Sequence, residues 1–448
     1  MRALQSVKSR RVLLLQGPPT GFFTALGRAF EASGIPTRRV LLNAGDALRG
    51  NGIPFRGRLG EFGGFLDRLI ADEGITDVLY FADRLPYHRI AERVATGRGA
   101  MPYVVEHGYL RPDWITLEPG GMGAYSRFPA DRRRILEIAE GAPPVDDAIR
   151  YRHSFATEAF HDVSHVLTRL AFTPGFPHYE RDRPNHPLAE YASWLPQLVR
   201  RQVARARAER QLARVIAENS PFFLFAMQLQ EDYQIRHNSR YQNLADLIEE
   251  VFSSFAAFAP KDASLLVKLH PLDNGLANWP RVLKAAKRRH GLTGRIRFMG
   301  AGPLIEMLRA TAGVVLVNST VGVTALRNDV PVKALGAAIY DLEGLTDQAP
   351  LDRFWRHPTR PDPTFVDAFV RALARATQLK GSFYDKEGIA VACAEIVRRV
   401  AAGLGDCGWF VTPPPRLTRA LRAGVPREPA VVHAHGRAER IDQWSELW

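Results

Sequence analysis

One rhythm constrains this chain more than any other feature. Short apolar runs alternate with amphipathic stretches, and the pattern occurs twice. In the first pass Arg11–Leu15, Thr37–Leu42, Asp77–Phe81 and Pro102–Glu106 read as strands, and Phe22–Ala32, Phe62–Asp72 and Tyr87–Thr96 as helices. In the second, strands are expected at Pro221–Met227, Ser264–Leu269, Arg295–Met299, Val314–Val317 and Val332–Leu335. Helices are expected at Leu244–Phe258, Pro280–His290, Leu304–Thr311 and Val321–Asn328. Strands spaced by single helical segments pair in parallel, with helices on both faces. The expected fold is therefore α/β, with two Rossmann-like lobes at residues 1–130 and 221–384. A helical connection (131–220) joins them, and a closing helix (385–410) and a Pro/Arg-rich tail (411–448) follow. Ligands in such sheets sit beyond the carboxyl ends of the strands, so function is sought there.

Composition narrows the partners. The 448 residues carry 60 Lys+Arg against 47 Asp+Glu, a formal charge of +13. That excess favours anionic partners. Much of it lies in Leu195–Ala217, with Arg200, Arg201, Arg205, Arg207, Arg210 and Arg214, and in Arg132, Arg133 and Arg134. These runs read either as solvated helix faces or as a surface for anionic lipid, to which each basic residue adds about 1 kcal/mol. No aromatics interleave them as a stacking platform for nucleic acid would require. No apolar run reaches the ~20 residues of a membrane span. Val12–Leu15 is too short for a signal-peptide core, so a cytoplasmic location is expected. Cys393 and Cys407 form neither a disulfide framework nor a Cys-x-x-Cys pair.

Four strand ends carry candidate chemistry. Lys268-Leu269-His270-Pro271 follows the second strand of the C-terminal lobe; the proline holds His270 extended, so that its Nε2 can donate to a leaving phosphate. By itself a His-Pro pair is equally a turn histidine. Asn318-Ser319-Thr320-Val321-Gly322 precedes a helix and offers hydroxyl and backbone donors around a phosphate, or a plain N-cap. Glu106-His107-Gly108 closes a strand of the N-terminal lobe with a carboxylate suited to general acid/base work, or to stabilising a turn. Gln228-Leu229-Gln230-Glu231-Asp232-Tyr233-Gln234 follows the first strand of the second lobe. There an Asp can serve as a nucleophile or stand as a solvated loop acid. No Asp-x-Asp metal motif accompanies them, and no metal or cofactor is expected.

These residues belong to a longer set. Gln16-Gly17-Pro18, Asn43-Ala44-Gly45-Asp46, Phe55-Arg56-Gly57, Phe81-Ala82-Asp83-Arg84-x-x-Tyr87-His88 and Glu106 to Thr116 resemble the capsular polysaccharide export proteins of the KpsS/LipB type. So do Gln228-Leu229-x-x-Asp232-x-Gln234, Lys268-x-His270-Pro271, Asn318-Ser319-Thr320, Gly336 to Thr346 and Phe354-Trp355. The resemblance implies a GT-B-like glycosyltransferase with an interlobe cleft. It implies a retaining β-Kdo transferase that uses CMP-β-Kdo on a lyso-phosphatidylglycerol acceptor, peripheral on the cytoplasmic face of the inner membrane. Two positions depart from the family pattern. Glu106-His107-Gly108 stands where Glu-Glu-Gly is usual, and Ala82-Asp83-Arg84 where a Gly-Asp-Cys/Asn-type loop is usual.

On this reading Asp232 is the nucleophile and Glu106 the acid/base, with His107 able to substitute because imidazole titrates near neutrality. His270, Pro271, Lys268, Asn318, Ser319 and Thr320 hold CMP. Arg84, Arg111 or Lys268 meets the Kdo carboxylate, with Gln228, Gln234, Gly17 and Asp46 elsewhere around the cleft. Trp114 and the basic helices face the bilayer, or the basic helices dock another capsule-assembly protein. A non-catalytic scaffold, and a transferase for another nucleotide sugar or a glycan acceptor, are the alternatives.

Overall fold

A computed structural model describes residues 10–182, 193, 207–300 and 302–427, with backbone alone at 431–432 and 438–439. Part of the Arg-rich segment Leu195–Ala217 lies outside the described residues; 207–217 is helical. Most of the tail beyond 427 is likewise outside them. The chain divides into two compact units. Unit 1 is Met1–Arg181 with Asp367–Leu417, and unit 2 is Asp182–Val366 with Thr418–Trp448.

Unit 1 is built on strands β1 (Val12–Leu14), β2 (Thr37–Leu41), β3 (Ile53–Pro54), β4 (Asp77–Phe81), β5 (Met101–His107) and β6 (Trp114–Pro119). Helices α1 (Phe22–Ala32), α2 (Ala44–Ala47), α3 (Leu59–Glu73) and α4 (Pro86–Gly97) connect the first five; α5 (Arg132–Ala139) and α6 (Phe155–Ala171) follow β6. These elements form because apolar side chains recur on one face, as in α1, where Phe22, Phe23, Leu26 and Phe30 are buried. β1 to β5 run parallel in the order β5-β4-β1-β2-β3. The chain leaves β1 toward β2 and returns on its other side at β4, which makes the β1–β4 boundary a switch point.

Unit 2 contains β7 (Phe222–Ala226), α7 (Tyr233–Asn238), α8 (Leu244–Phe258), β8 (Ser264–Lys268), α9 (Trp279–Arg289), β9 (Ile296–Met299), α10 (Leu304–Ala310), β10 (Gly313–Leu316), α11 (Val321–Leu326), β11 (Val332–Ala334) and α12 (Leu351–Phe354). The five strands of its main sheet are all parallel, in the order β11-β10-β7-β8-β9. Here the switch point falls between β7 and β10. Phe354-Trp355 is a core anchor: Trp355 stands edge-on to Phe223 and Phe255, each at 5.1 Å, and its indole N–H donates to Ser254 Oγ at 2.7 Å.

Two features differ from the expected organisation. The second lobe was expected to run to 384, but from Asp367 the chain is part of unit 1. Helix α13 (Pro363–Thr377) leads into β12 (Gln378–Lys380), which pairs antiparallel with β6. Helix α14 (Lys386–Ala401) then buries Ala392, Cys393, Ile396, Val397 and Val400 in the same core as α1. The closing helix is therefore integral to the first unit, because its apolar stripe is covered by α1. Helix α15 (Leu417–Arg422) begins the final segment. Second, β6 was not expected, and its start places Trp114 half-buried under Lys380, whose Nζ is 4.7 Å from the ring.

Candidate functional site

In unit 2 the singled-out residues gather at the carboxyl edge of the sheet. β7 leads to Gln228, β8 to Lys268 and His270, and β10 to Asn318, Ser319 and Thr320; these three strands are adjacent. Gln228 and Asn318 bridge the switch point reciprocally. The Gln228 amide donates to Asn318 Oδ1 at 2.8 Å, and Asn318 N–H donates to Gln228 Oε1 at 3.0 Å. Asn318 also donates to Gln234 O at 3.0 Å. Both side chains are thus committed to holding the loops together.

Gln234 is similarly engaged, donating to the Tyr233 hydroxyl at 2.8 Å and accepting from Asn238 at 2.6 Å. These partners tie the Gln234 side chain into the start of α7.

His270 is half-buried, and its Nδ1 accepts the Leu272 N–H at 3.1 Å. In the neutral ring that bond fixes the proton on Nε2, the nitrogen needed as a donor. Pro271 is exposed. Lys268 is buried, lies 3.4 Å from Leu269 O, and has its ammonium pKa lowered by that burial. Ser319 Oγ accepts Val321 N–H at 3.2 Å, while Thr320 occupies the N-cap of α11 without a side-chain cap bond. The Tyr340 hydroxyl donates to Ser319 O at 2.5 Å, and a Cβ on Gly322 would lie 2.3 Å from the Tyr340 ring. Tyr340 and Gly322 therefore shape the Ser319 loop together. Asp232 caps α7 by accepting Gln234 N–H at 2.9 Å. One carboxylate oxygen is thereby fixed in orientation.

In unit 1, β5 delivers Glu106 and His107, both half-buried. Glu106 Oε1 accepts the His107 N–H at 2.8 Å. Gly108 is required because a Cβ there would lie 2.5 Å from Trp114 O, the same carbonyl that Gly108 N–H meets at 2.8 Å in the turn to β6. His107 sits edge-on to Phe383 at 5.1 Å and near-parallel to Tyr384 at 6.4 Å. Burial first, then the charges of Arg111 and His153, push its pKa well below the usual range. Around Tyr384 stand also His153 at 4.5 Å and His161 at 6.1 Å. Burial, then Glu158, Asp162 and Glu106, raise the Tyr384 phenol's pKa, so these acids share its surroundings. His153, His161 and Tyr384 were missed as site candidates because they are far from Glu106 in sequence.

Three other candidates prove structural. Arg84 is buried, donating to Asp83 at 3.1 Å and Glu92 at 2.8 Å with Tyr125 3.9 Å beneath its guanidinium. Burial opposes its charge, and the neighbouring Asp83 and Glu92 overcome that, raising its pKa. It holds internal carboxylates and is not placed for a substrate's. Asp46 is buried, accepting from Asn43 Nδ2 at 2.9 Å and Leu42 N–H at 3.3 Å. Burial lifts its pKa to about 6 against Arg39 and Arg49. Gly17 is dictated by packing, since a Cβ would lie 2.6 Å from the Phe23 ring. Of the three proposed cations, Arg111 alone is exposed. Among the described residues no cluster of three or more His, Cys, Asp or Glu is arranged to hold a metal ion. No helix among them is long and apolar enough to cross a membrane.

Residues 76–384 match the family described as capsule polysaccharide biosynthesis protein. The capsule polysaccharide export protein KpsS of Escherichia coli is 31% identical over 382 residues, 84% of this chain and 98% of that protein. The chain belongs to this capsule biosynthesis family. It is of the KpsS/LipB type, because the capsule polysaccharide modification protein LipB of Neisseria meningitidis serogroup A is also 31% identical, over 84% of this chain and 92% of its own length. Among solved structures, the Thermosulfurimonas dismutans KpsC beta Kdo 2,7 transferase aligns with a TM-score of 0.44 and 15% identity, covering 86% of this chain and 98% of that one. The family match takes in all the unit 2 site residues and Glu106, and it ends at Tyr384 of the histidine cluster.

Proposed function

We propose that this member of the family is a retaining β-Kdo transferase. It would take Kdo from CMP-β-Kdo to a lyso-phosphatidylglycerol acceptor, beginning the oligo-Kdo linker of a capsule glycolipid. The observation that carries the reading is the grouping of family-motif residues at the unit 2 switch point, with His270 held as an Nε2–H donor. The residues and the fold position suit a nucleotide-sugar phosphate.

In the proposed reaction the Asp232 carboxylate attacks the anomeric carbon, and the bond from that carbon to the CMP phosphate oxygen breaks. His270 Nε2–H and the Ser319–Thr320 loop stabilise the departing phosphate, and Lys268 adds positive charge. Glu106 then removes the proton of the acceptor hydroxyl, which attacks the same carbon and releases Asp232. Two inversions give retention. Arg111 is the proposed partner of the Kdo carboxylate, chosen because it is exposed beside His107. This route uses no metal or cofactor. The surplus of basic residues suits a peripheral position on the anionic cytoplasmic leaflet of the inner membrane, where the acceptor resides.

The test is turnover of CMP-Kdo, generated in situ, on a fluorescent lyso-phosphatidylglycerol. His270→Ala should lower kcat by roughly 10²–10³-fold, the loss typical of one preorganised donor to a developing anion. Undiminished turnover in His270→Ala would contradict the assignment. Transfer only from another nucleotide sugar would move the substrate, and no transfer from any would leave a scaffold.

A further inference from the structure

Unit 1 contains a cavity of about 790 Å³ along β12, between the 141–146 loop, α13 and α14. The proposed transfer uses none of its walls. Five cations line it: Arg371, Arg375, Lys380, Arg398 and Arg399. Lys380 is paired with Asp113 at 2.8 Å and Arg371 with Asp367 at 2.8 Å. Arg398 and Arg399 share a single carboxylate, Glu395, each at 2.7 Å. Arg375 donates to the carbonyls of Ile138 and Glu140 at 3.1 and 2.7 Å and meets no carboxylate among the described residues. The lining acid Asp146 is already paired with Arg150 at 2.7 Å. Five cations against Asp113, Asp367 and Glu395 leave two guanidinium charges uncompensated. Arg399 also donates through Nη2 to Gln378 O at 2.7 Å, while its Nη1 is buried without a hydrogen-bond partner. Burying such a donor costs free energy unless something accepts from it.

Apolar surface adjoins this charge. The Trp409 ring lies 5.2 Å from the Arg375 guanidinium, and Trp114, Leu379 and Val391 complete that side. The volume is that of a small-molecule site. A phosphate monoester carries about −1.5 to −2 charges at neutral pH and offers three acceptor oxygens. It matches both the surplus charge and the forked guanidinium geometry, which a single carboxylate does not.

We propose that this cavity binds a phosphate monoester, with Arg375 and Arg399 holding the phosphate and Trp114, Trp409 and Val391 bordering its carbon skeleton. The test uses the full chain at constant ionic strength. Calorimetric titration with glycerol 3-phosphate forms one arm, and co-sedimentation with phosphatidylcholine vesicles with and without phosphatidic acid forms the other. Saturable binding is expected in at least one arm, weakened tenfold or more in Arg399→Gln. Arg398→Glu, changed at a side chain 67% exposed, should weaken it likewise and guards against a folding defect in the first variant. Binding of the soluble ester assigns a free metabolite, and binding of phosphatidic acid vesicles alone assigns a lipid headgroup. No binding in either arm, or binding unchanged in both variants, overturns the proposal. So does binding that is lost in His270→Ala and kept in both arginine variants, since it would place the phosphate in unit 2.

Discussion

Ala82 holds a backbone conformation that its side chain disfavours. Its φ is 60°, in the left-handed region that costs a non-glycine residue about 1–2 kcal/mol. Its carbonyl nevertheless accepts from His88 Nδ1 at 2.8 Å, which keeps the loop in place. A glycine at this position would relieve that strain, which the backbone alone reveals. Ala82→Gly should raise unfolding free energy by roughly 1 kcal/mol, measured by urea denaturation. Asp46 gives a second residue-scale prediction. Its carboxyl pKa is about 6 in the folded chain against an ordinary 3.8, so the native state holds this proton more tightly than the unfolded one. The contribution to stability is complete below about pH 4 and is lost as pH rises through about 6. Asp46→Asn should remove that loss, and the gap between variant and parent should change by roughly 3 kcal/mol between pH 4 and pH 7. Parallel pH profiles would refute this origin.

Elements with a clean apolar period are legible in the amino-acid order alone. Helices α1 and α8 occupy Phe22–Ala32 and Leu244–Phe258, as the spacing indicated. Strand β6 was not legible, because its pairing depends on a turn at Gly108 and on β12, more than two hundred residues away in sequence. The same limit applied to site residues. His270 and Ser319 could be picked out as strand-end residues, whereas the partners that Gln228 and Gln234 hold through their amides are visible only in the structure. The Gln228–Asn318 bridge links the ends of β7 and β10. Gln228→Ala should cost about 1–3 kcal/mol by leaving Asn318 groups unpaired. It should also impair transfer beyond what the stability loss explains, compared by kinetics well below the melting temperature. Unimpaired kinetics would show that the bridge supports only the fold.

At the scale of the whole chain, the return of residues 367–417 to unit 1 was hidden because helix α13 continues without a break from one unit's sequence into the other's. A helix reads as local, while the destination of its apolar face does not. Ile396, fully buried among α1 and the sheet of unit 1, should cost about 2–5 kcal/mol on truncation to alanine. Unfolding followed by fluorescence would check it. The central claim concerns covalent chemistry carried by Asp232 with a CMP-activated sugar. Its most direct test is intact-protein mass spectrometry after mixing the chain with CMP-Kdo and no acceptor. A single Kdo residue should add to the parent, disappear when lyso-phosphatidylglycerol is supplied, and be absent from Asp232→Asn. Glycolipid product formed at normal rate by Asp232→Asn would contradict the account.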